Sequence, residues 1–549
     1  MFNRMKKSLL MTTTLVAAFS ATNVCAEDWT ISSKEIITGE LISKDNVTVA
    51  TGGDITISGN NSGIISNGNF TMEDGSLTAS SNGGSADTGV FVRGENSSVT
   101  IKNGTINLTE ARIAKGEEDT DTTGDVSISG GKITLNNQAY IEMYDTNTGS
   151  VNLSGGELNI NDNSGILLDG ANDFTMTGGF LTATSNGNSA DTGVFVKGNG
   201  ADVNIQGGDI NLTDSRIYKG NDTATTGDIN ISGGNITLNK NAYIEMRKEN
   251  TGNVNMTGGK LVMNKNSGLL LNTNDDQGID GNAIKLIVNG DDATITANGS
   301  NQISGDIDFT KGTITVANGA SLTSGDIAMK SENAKIDLLG KLNTNVNGSG
   351  NLCFKNSAAN VSGNVTGSNL TFDTDHSLSK AIGGTISNIT ALNVNKGTLT
   401  YDKDAGSIGN VSVAGGAGLD IGTNKLTATT VNFADNSTLG LKIASADNYG
   451  QINANTINIG NDTTMKVTLD SGVVANGETQ SFDFLQGSVT GDFTNKIADN
   501  NRYDISFEDG SFKITGTASA SDVVADAGGS ATNAATAEAW DTLTSSSTA

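Results

Sequence analysis

Apolar and polar residues alternate along short runs of this chain, and the runs come in pairs joined by a glycine turn. The pairs read VTIKNGTINL (Val99–Leu108), VSISGGKITL (Val126–Leu135), VNLSGGELNI (Val151–Ile160), FTMTGGFLTA (Phe174–Ala183), VNIQGGDINL (Val203–Leu212), INISGGNITL (Ile229–Leu238) and VNMTGGKLVM (Val254–Met263). A spacing of two is the strand period, and no run shows the spacing of three or four that a helix needs. The glycines before each second run, Gly104, Gly131, Gly156, Gly179, Gly208, Gly234 and Gly259, lie 27, 25, 23, 29, 26 and 25 residues apart. Repetition at roughly 20–50 residues marks a solenoid, whose units bury an apolar face only by stacking. The pattern predicts an all-β fold, a right-handed parallel β-helix with one coil per beat.

A longer repeat contains the short one. TTGDVSISGGKITLNNQAYIEM (Thr122–Met143) returns as TTGDINISGGNITLNKNAYIEM (Thr225–Met246), shifted by 103 residues. SADTGVFVRG (Ser85–Gly94) returns as SADTGVFVKG (Ser189–Gly198), shifted by 104, and NDNSGILL (Asn161–Leu168) as NKNSGLLL (Asn264–Leu271), shifted by 103. Two copies of one unit therefore fill residues 61–275. Residues 27–60 are expected to form the N-terminal cap and first coils, and residues 276–440 slimmer, less regular coils. A period near 103 also suits tandem immunoglobulin-like sandwiches, but such domains have no reason to carry the glycine beat within each unit.

Composition sharpens this picture. The 549 residues contain no proline, where average usage of about 5% would supply roughly 27. In a continuous ladder nearly every strand N–H is needed by a neighbouring coil, and proline has none to give. Hydrophobic residues make up 35% of the chain, enough for a narrow inward stripe. Arg4, Lys6 and Lys7 precede an apolar run from Leu9 to Phe19, and Val24-Cys25-Ala26 ends it, as in a secretory signal peptide spanning residues 1–26. Use of Cys25 as a lipid anchor fits less well, because Thr22-Asn23-Val24 lacks the leucine and small residues of such sites. Removing the signal leaves 30 basic against 60 acidic residues. That balance argues against nucleic acid or bare anionic lipid as partners, since both require a basic surface. Calcium at loop carboxylates is the one cofactor worth testing, yet no EF-hand or GGxGxDxUx loop is present, so the expectation is no cofactor and no metal. Cys353 remains alone after cleavage, so stability must come from packing; it reads as a small buried hydrophobe rather than a nucleophile paired with His376.

The region Val431–Thr515 carries a more specific likeness. Ala446-Asp447-Asn448-Tyr449-Gly450-Gln451 leads into a strand, followed by Phe482-Asp483-Phe484-Leu485, Gly491-Asp492-Phe493 and the strand Tyr503-Asp504-Ile505-Ser506-Phe507. This resembles the C-terminal end of a Gram-negative autotransporter passenger. The resemblance implies an autochaperone-like C-terminal cap over 441–515 and makes residues 516–549, rich in Ala, Ser and Thr, similar to the linker that threads a translocator barrel. No alternating barrel strands follow before Ala549. The resemblance further implies secretion across the inner membrane, display at the cell surface or release outside it, and contact with the outer membrane only through a barrel absent from this chain.

Candidate site residues come from the long repeat. Asp87 and Asp191, Asp125 and Asp228, and Glu142 and Glu245 recur about four coils apart, on the order of 19 Å at ~4.8 Å per strand. Glycosidase carboxyls stand about 5–9.5 Å apart, so these recurrences are a duplicated surface, and no catalytic residue is expected. Arg112 and Arg216, with Lys115 and Lys219, could add a basic row; Arg112 and Arg216 are kept as ligand-contact candidates, although a solvated face balancing nearby acids is the preferred reading. Tyr140 and Tyr243 in the AYIEM runs are candidates for stacking against a sugar, whereas Met143, Met176, Met246 and Met256 fall on apolar phases as core filler. The expected function is a non-catalytic, monomeric rod that meets a host or bacterial surface glycan or protein as an adhesin. A polysaccharide lyase or hydrolase on the same fold is the alternative.

Overall fold

Each alternating run turns its apolar residues to one side, and parallel pairing from coil to coil joins those sides into a single interior. The structure, a computed structural model, describes residues 27–516 apart from 83–86, 118–119, 188–190, 222–223, 248, 274–283, 471–472, 475–476, 500–502 and 509–510. The expected signal peptide and nearly all of the expected linker lie outside the described residues. Strand accounts for 58% of the chain and helix for 1%, and long parallel sheets wrap into a nearly closed β-helix.

Every regular coil has three strands, one more than the glycine-joined pair. A three-residue strand such as Val126–Ile128 forms the first face, a five-residue strand such as Lys132–Asn136 the second, and a four-residue strand such as Tyr140–Met143 the third. The first two faces merge into a 34-stranded sheet because Leu286–Ala297 and Ile307–Val316 run across both. The third face is a 14-stranded sheet, and a seven-stranded sheet serves the C-terminal coils. About twenty coils at ~4.8 Å each make a rod on the order of 90–100 Å long.

The register reproduces the beat in the sequence. Val99, Val126, Val151, Phe174, Val203, Ile229 and Val254 pair in succession on the first face, at the intervals of the glycine markers. Further along, Ile307, Ile327, Val346, Val365 and Ile386 pair at 20, 19, 19 and 21 residues, so the later coils are slimmer. Parallel pairing throughout these faces excludes sandwich domains, whose strands pair antiparallel. Met143, Met176, Met246 and Met256 are fully buried in the stack.

Two devices shape the corners. Gly156 has φ +78°, and a Cβ there would meet the Gly130 carbonyl carbon at 2.6 Å, so neither the turn nor the stacking tolerates a side chain. At the corner before the first face, a side-chain oxygen accepts the backbone N–H of the next coil: Asp125 from Ser150 at 2.8 Å, then Asp173 from Asp202, Asp202 from Asp228 and Asp228 from Asn253, each at 2.7 Å. Asn46, Asn69, Asn345 and Asn364 do the same elsewhere. Part of the Asp and Asn content is therefore structural: it satisfies backbone donors that the strand ladders miss.

Both ends are finished differently from the middle. Trp29 sits on the inward column of the first coil with Lys44 Nζ 5.9 Å from its ring centroid, and Glu35, on an inward phase, is half-buried. A charge on the inward phase of a terminal strand discourages further stacking. At the other end Thr479–Phe482, Ser511–Gly516 and Tyr503–Glu508 form an antiparallel sheet. Tyr449, Phe482, Phe484 and Phe512 pack there with centroids 5.1–6.0 Å apart.

Candidate functional site

The third face gathers the recurrent side chains. Arg112 and Tyr140 are register neighbours, and Glu142 lies two residues beyond Tyr140 on the same outward side. Arg112 Nη1 contacts Glu142 Oε2, and Arg216 Nη1 contacts Glu245 Oε2 in the same way. The two arginines are not a solvated row: their side chains are only 13% and 17% exposed, because each must cover a carboxylate lying against the sheet. Burial pushes the Glu142 carboxyl above its ordinary value against the pull of the Arg112 guanidinium, and Asp169 adds to the rise. Lys197 holds Asp169 at 3.2 Å.

Tyr140 is half-buried beside a fully buried Ile141, and its hydroxyl donates to the Asn163 carbonyl oxygen at 2.8 Å. Burial, helped by Asp191 and Glu142, pushes the Tyr140 hydroxyl up to about 12. Tyr243 is likewise half-buried and raised by burial. The two copies of this surface lie four ladder steps apart.

Lys115 and Lys219 depart from the expectation of a solvated row. Both lie on the inward column of the third face, Lys115 between Val92 and Met143 and Lys219 between Val196 and Met246, and both are 0% exposed. Alternation places them inward because Ile113 and Ile217 two residues earlier are inward. Lys115 Nζ donates to the Gly94 carbonyl oxygen at 3.4 Å and Lys219 Nζ to that of Gly198 at 3.0 Å. Desolvation lowers each ammonium to about 8.

Cys353 and His376 do not meet as a catalytic pair. Cys353 stands on the outward column between Asp337 and Thr371, where burial and then Asp337 push its thiol up. His376 packs edge-on against Phe354 and Phe372, which are on the inward column. Its Nε2 faces the Ala359 carbonyl oxygen at 2.8 Å, and its Nδ1 accepts the Ser377 N–H at 2.9 Å, so the backbone occupies both ring nitrogens. Among the described residues, no group of three or more His, Cys, Asp or Glu side chains is placed to hold a metal ion.

The outward columns of the first and second faces are polar lattices. Asn204, Asn230 and Asn255 form an amide ladder with 3.0 Å bonds, and Asn159, Thr182, Asn211 and Thr237 follow one another along the second face. One residue breaks the pattern: Phe180, 56% exposed, stands where neighbouring coils place Lys132, Glu157, Asp209, Asn235 and Lys260. Its signal was present in the sequence as an aromatic on the polar phase, directly after the glycine turn.

Comparison with protein-family models and with curated proteins finds no match.

Proposed function

We propose that this chain is a secreted or surface-displayed β-helix rod of autotransporter-passenger type, a non-catalytic adhesin or surface-interaction protein. The observation that supports this reading best is recurrence. Arg112, Tyr140 and Glu142 return as Arg216, Tyr243 and Glu245 with the same pairing, so the rod presents one surface twice. Repeated presentation suits weak multivalent contact with a glycan or protein on another surface, because a second engagement is intramolecular once the first has formed. A length near 90–100 Å holds those contacts away from the membrane. Beads coated with the mature chain should adhere to host or bacterial cells, and adhesion should fall when soluble chain competes. Beads that adhere no better than uncoated ones would remove this reading.

A second reading, a polysaccharide lyase or hydrolase, has one observation in its favour. Glu142, with its raised carboxyl, shares neighbouring coils with Arg112, Asp169 and Lys197. Carboxylates and cations at close range are what such chemistry uses. Release of reducing or unsaturated ends from pectin or alginate, abolished by Glu142→Gln, would decide for the enzyme.

A further inference from the structure

Four large apolar side chains are strongly exposed among the described residues: Ile36, Leu41, Phe180 and Ile497. Ile36 and Leu41 belong to the first coil and Ile497 to the last parallel strand, where stacking stops. Phe180 alone lies in the body of the rod, with coils above and below, so an end effect does not account for it.

Its surroundings define a small platform. In register with Phe180 stand Glu157 on one side and Asp209 on the other, and two residues along the strand Thr182 lies between Asn159 and Asn211. The corner beside the ring is glycine, Gly178-Gly179 with Gly155-Gly156 and Gly207-Gly208 on the adjacent coils, so no side chain screens it there. Asn159 Nδ2 donates to Glu157 Oε1 at 2.8 Å and Lys132 Nζ lies 3.0 Å from the same oxygen. These bonds hold the Glu157 carboxyl below its ordinary value, so it is an ionised acceptor at any physiological pH. Asn235 Nδ2 donates to Asp209 Oδ1 at 2.8 Å.

We propose that Phe180, with Glu157, Asp209, Asn159 and Asn211, is a binding site for a neutral pyranose glycan. The ring offers an apolar face to the C–H face of a sugar, the carboxylates accept from its hydroxyls, and the amides both donate and accept. Charge selects among glycans: Asp209 flanks the ring on one side, Glu157 on the other is paired with Lys132, and the whole chain carries a net charge of −27, so uronate or sulfated chains are disfavoured. Neighbouring coils repeat every ~4.8 Å, close to the rise of about one sugar unit, so a chain running along the rod axis meets Glu157, Phe180 and Asp209 with successive units.

This inference rests on the adhesin reading but fails separately from it. The mature chain is applied to an array of neutral gluco-, galacto-, manno- and N-acetylglucosamine oligosaccharides, with polygalacturonate, alginate and heparin as anionic probes, in parallel with the bead assay on cells. The expected result is binding to at least one neutral oligosaccharide, weakened about tenfold or more by Phe180→Ala and retained by Phe180→Trp. Phe180 is 56% exposed and stands outside the apolar core, so circular dichroism and thermal unfolding of Phe180→Ala should match the parent. Binding to no neutral probe, binding to anionic probes alone, or binding indifferent to Phe180→Ala would each overturn the glycan site. Cell adhesion that survives Phe180→Ala on an empty array would point to a protein partner and leave the adhesin reading standing.

Discussion

Replacing the two inward lysines with methionine tests how dry the interior is. Lys115 and Lys219 occupy a column otherwise filled by Val92, Met143, Leu168, Val196 and Met246, and each is 0% exposed. In the unfolded chain each ammonium titrates near 10.5; in the folded chain desolvation lowers it to about 8. That difference corresponds to about 3 kcal/mol per lysine, an upper figure for a site with a carbonyl acceptor. Because the folded value is the lower one, the unfolded chain binds more protons between pH 8 and 10.5, and native stability rises with pH across that window. The penalty is fully present below pH 8. For Lys219 the nearby Asp202 and Asp173 oppose the desolvation, yet both ammonium groups fall to about 8, so the two variants should give similar effects. Methionine has a similar length and already occupies the next coil at both places, so Lys115→Met and Lys219→Met should raise stability at pH 7 by up to about 3 kcal/mol each. Guanidinium titrations at pH 7.0, 8.0, 9.0 and 9.5 measure it. The gain should shrink steadily with pH; a gain that is constant across pH, or a variant less stable at pH 7, would refute a desolvated interior.

Other consequences are as direct. Arg112→Ala strands the Glu142 carboxylate against the sheet and should cost about 3–5 kcal/mol in denaturant titration, whereas the double change Arg112→Met with Glu142→Leu should cost far less. Asn172 is fully buried, with Nδ2 donating to Asn147 O and to Gly149 O and Oδ1 accepting from Gly170 N; Asn172→Ala should lose about 2–4 kcal/mol, read as a lower midpoint. Gly193→Ala would place a Cβ 1.8 Å from the Arg216 carbonyl oxygen at φ +136° and should cost about 3 kcal/mol, seen as a depressed Tm. The Tyr140 hydroxyl, held at about 12 in the fold, makes stability fall as pH climbs from 10 to 12, and Tyr140→Phe should flatten that fall.

Much of the architecture was legible because the solenoid imposes its period on the chain. Most interior positions hold Val, Ile, Leu, Phe, Met or Ala, and the glycine corners recur with them, so coil length could be counted from glycines whose intervals the strand register repeats. The third strand was harder to see. Its outward positions hold Phe91, Phe195 and Tyr218, so the polar alternation that marks the other two faces is missing there. For the same reason Lys115 and Lys219 looked like surface residues: a long basic side chain beside a glycine turn suggests solvent, and only the phase set by Ile113 and Ile217 turns it inward. The Asp and Asn corner ladder was invisible for another reason, since its bonds join residues 19 to 29 apart whose spacing varies from coil to coil.

The duplication separates what packing demands from what it does not. Where the two copies agree at an inward position, as at Lys115 with Lys219, the shared contact is a buried one, and the fold itself is sufficient reason for the agreement. Where they differ inside a contact, the change is absorbed locally: Tyr218 and Arg247 bond to one another in the second copy at the positions of Ala114 and Tyr144 in the first. Phe180 is a difference of another kind. It replaces Ser76 of the first copy, and the inward neighbours Leu181 and Ala183 repeat Leu77 and Ala79 unchanged. No interior volume is gained, and the ring stays 56% exposed. Packing neither requires nor rewards this substitution, and the proposed glycan contact at the second face is the reading that gives it a reason.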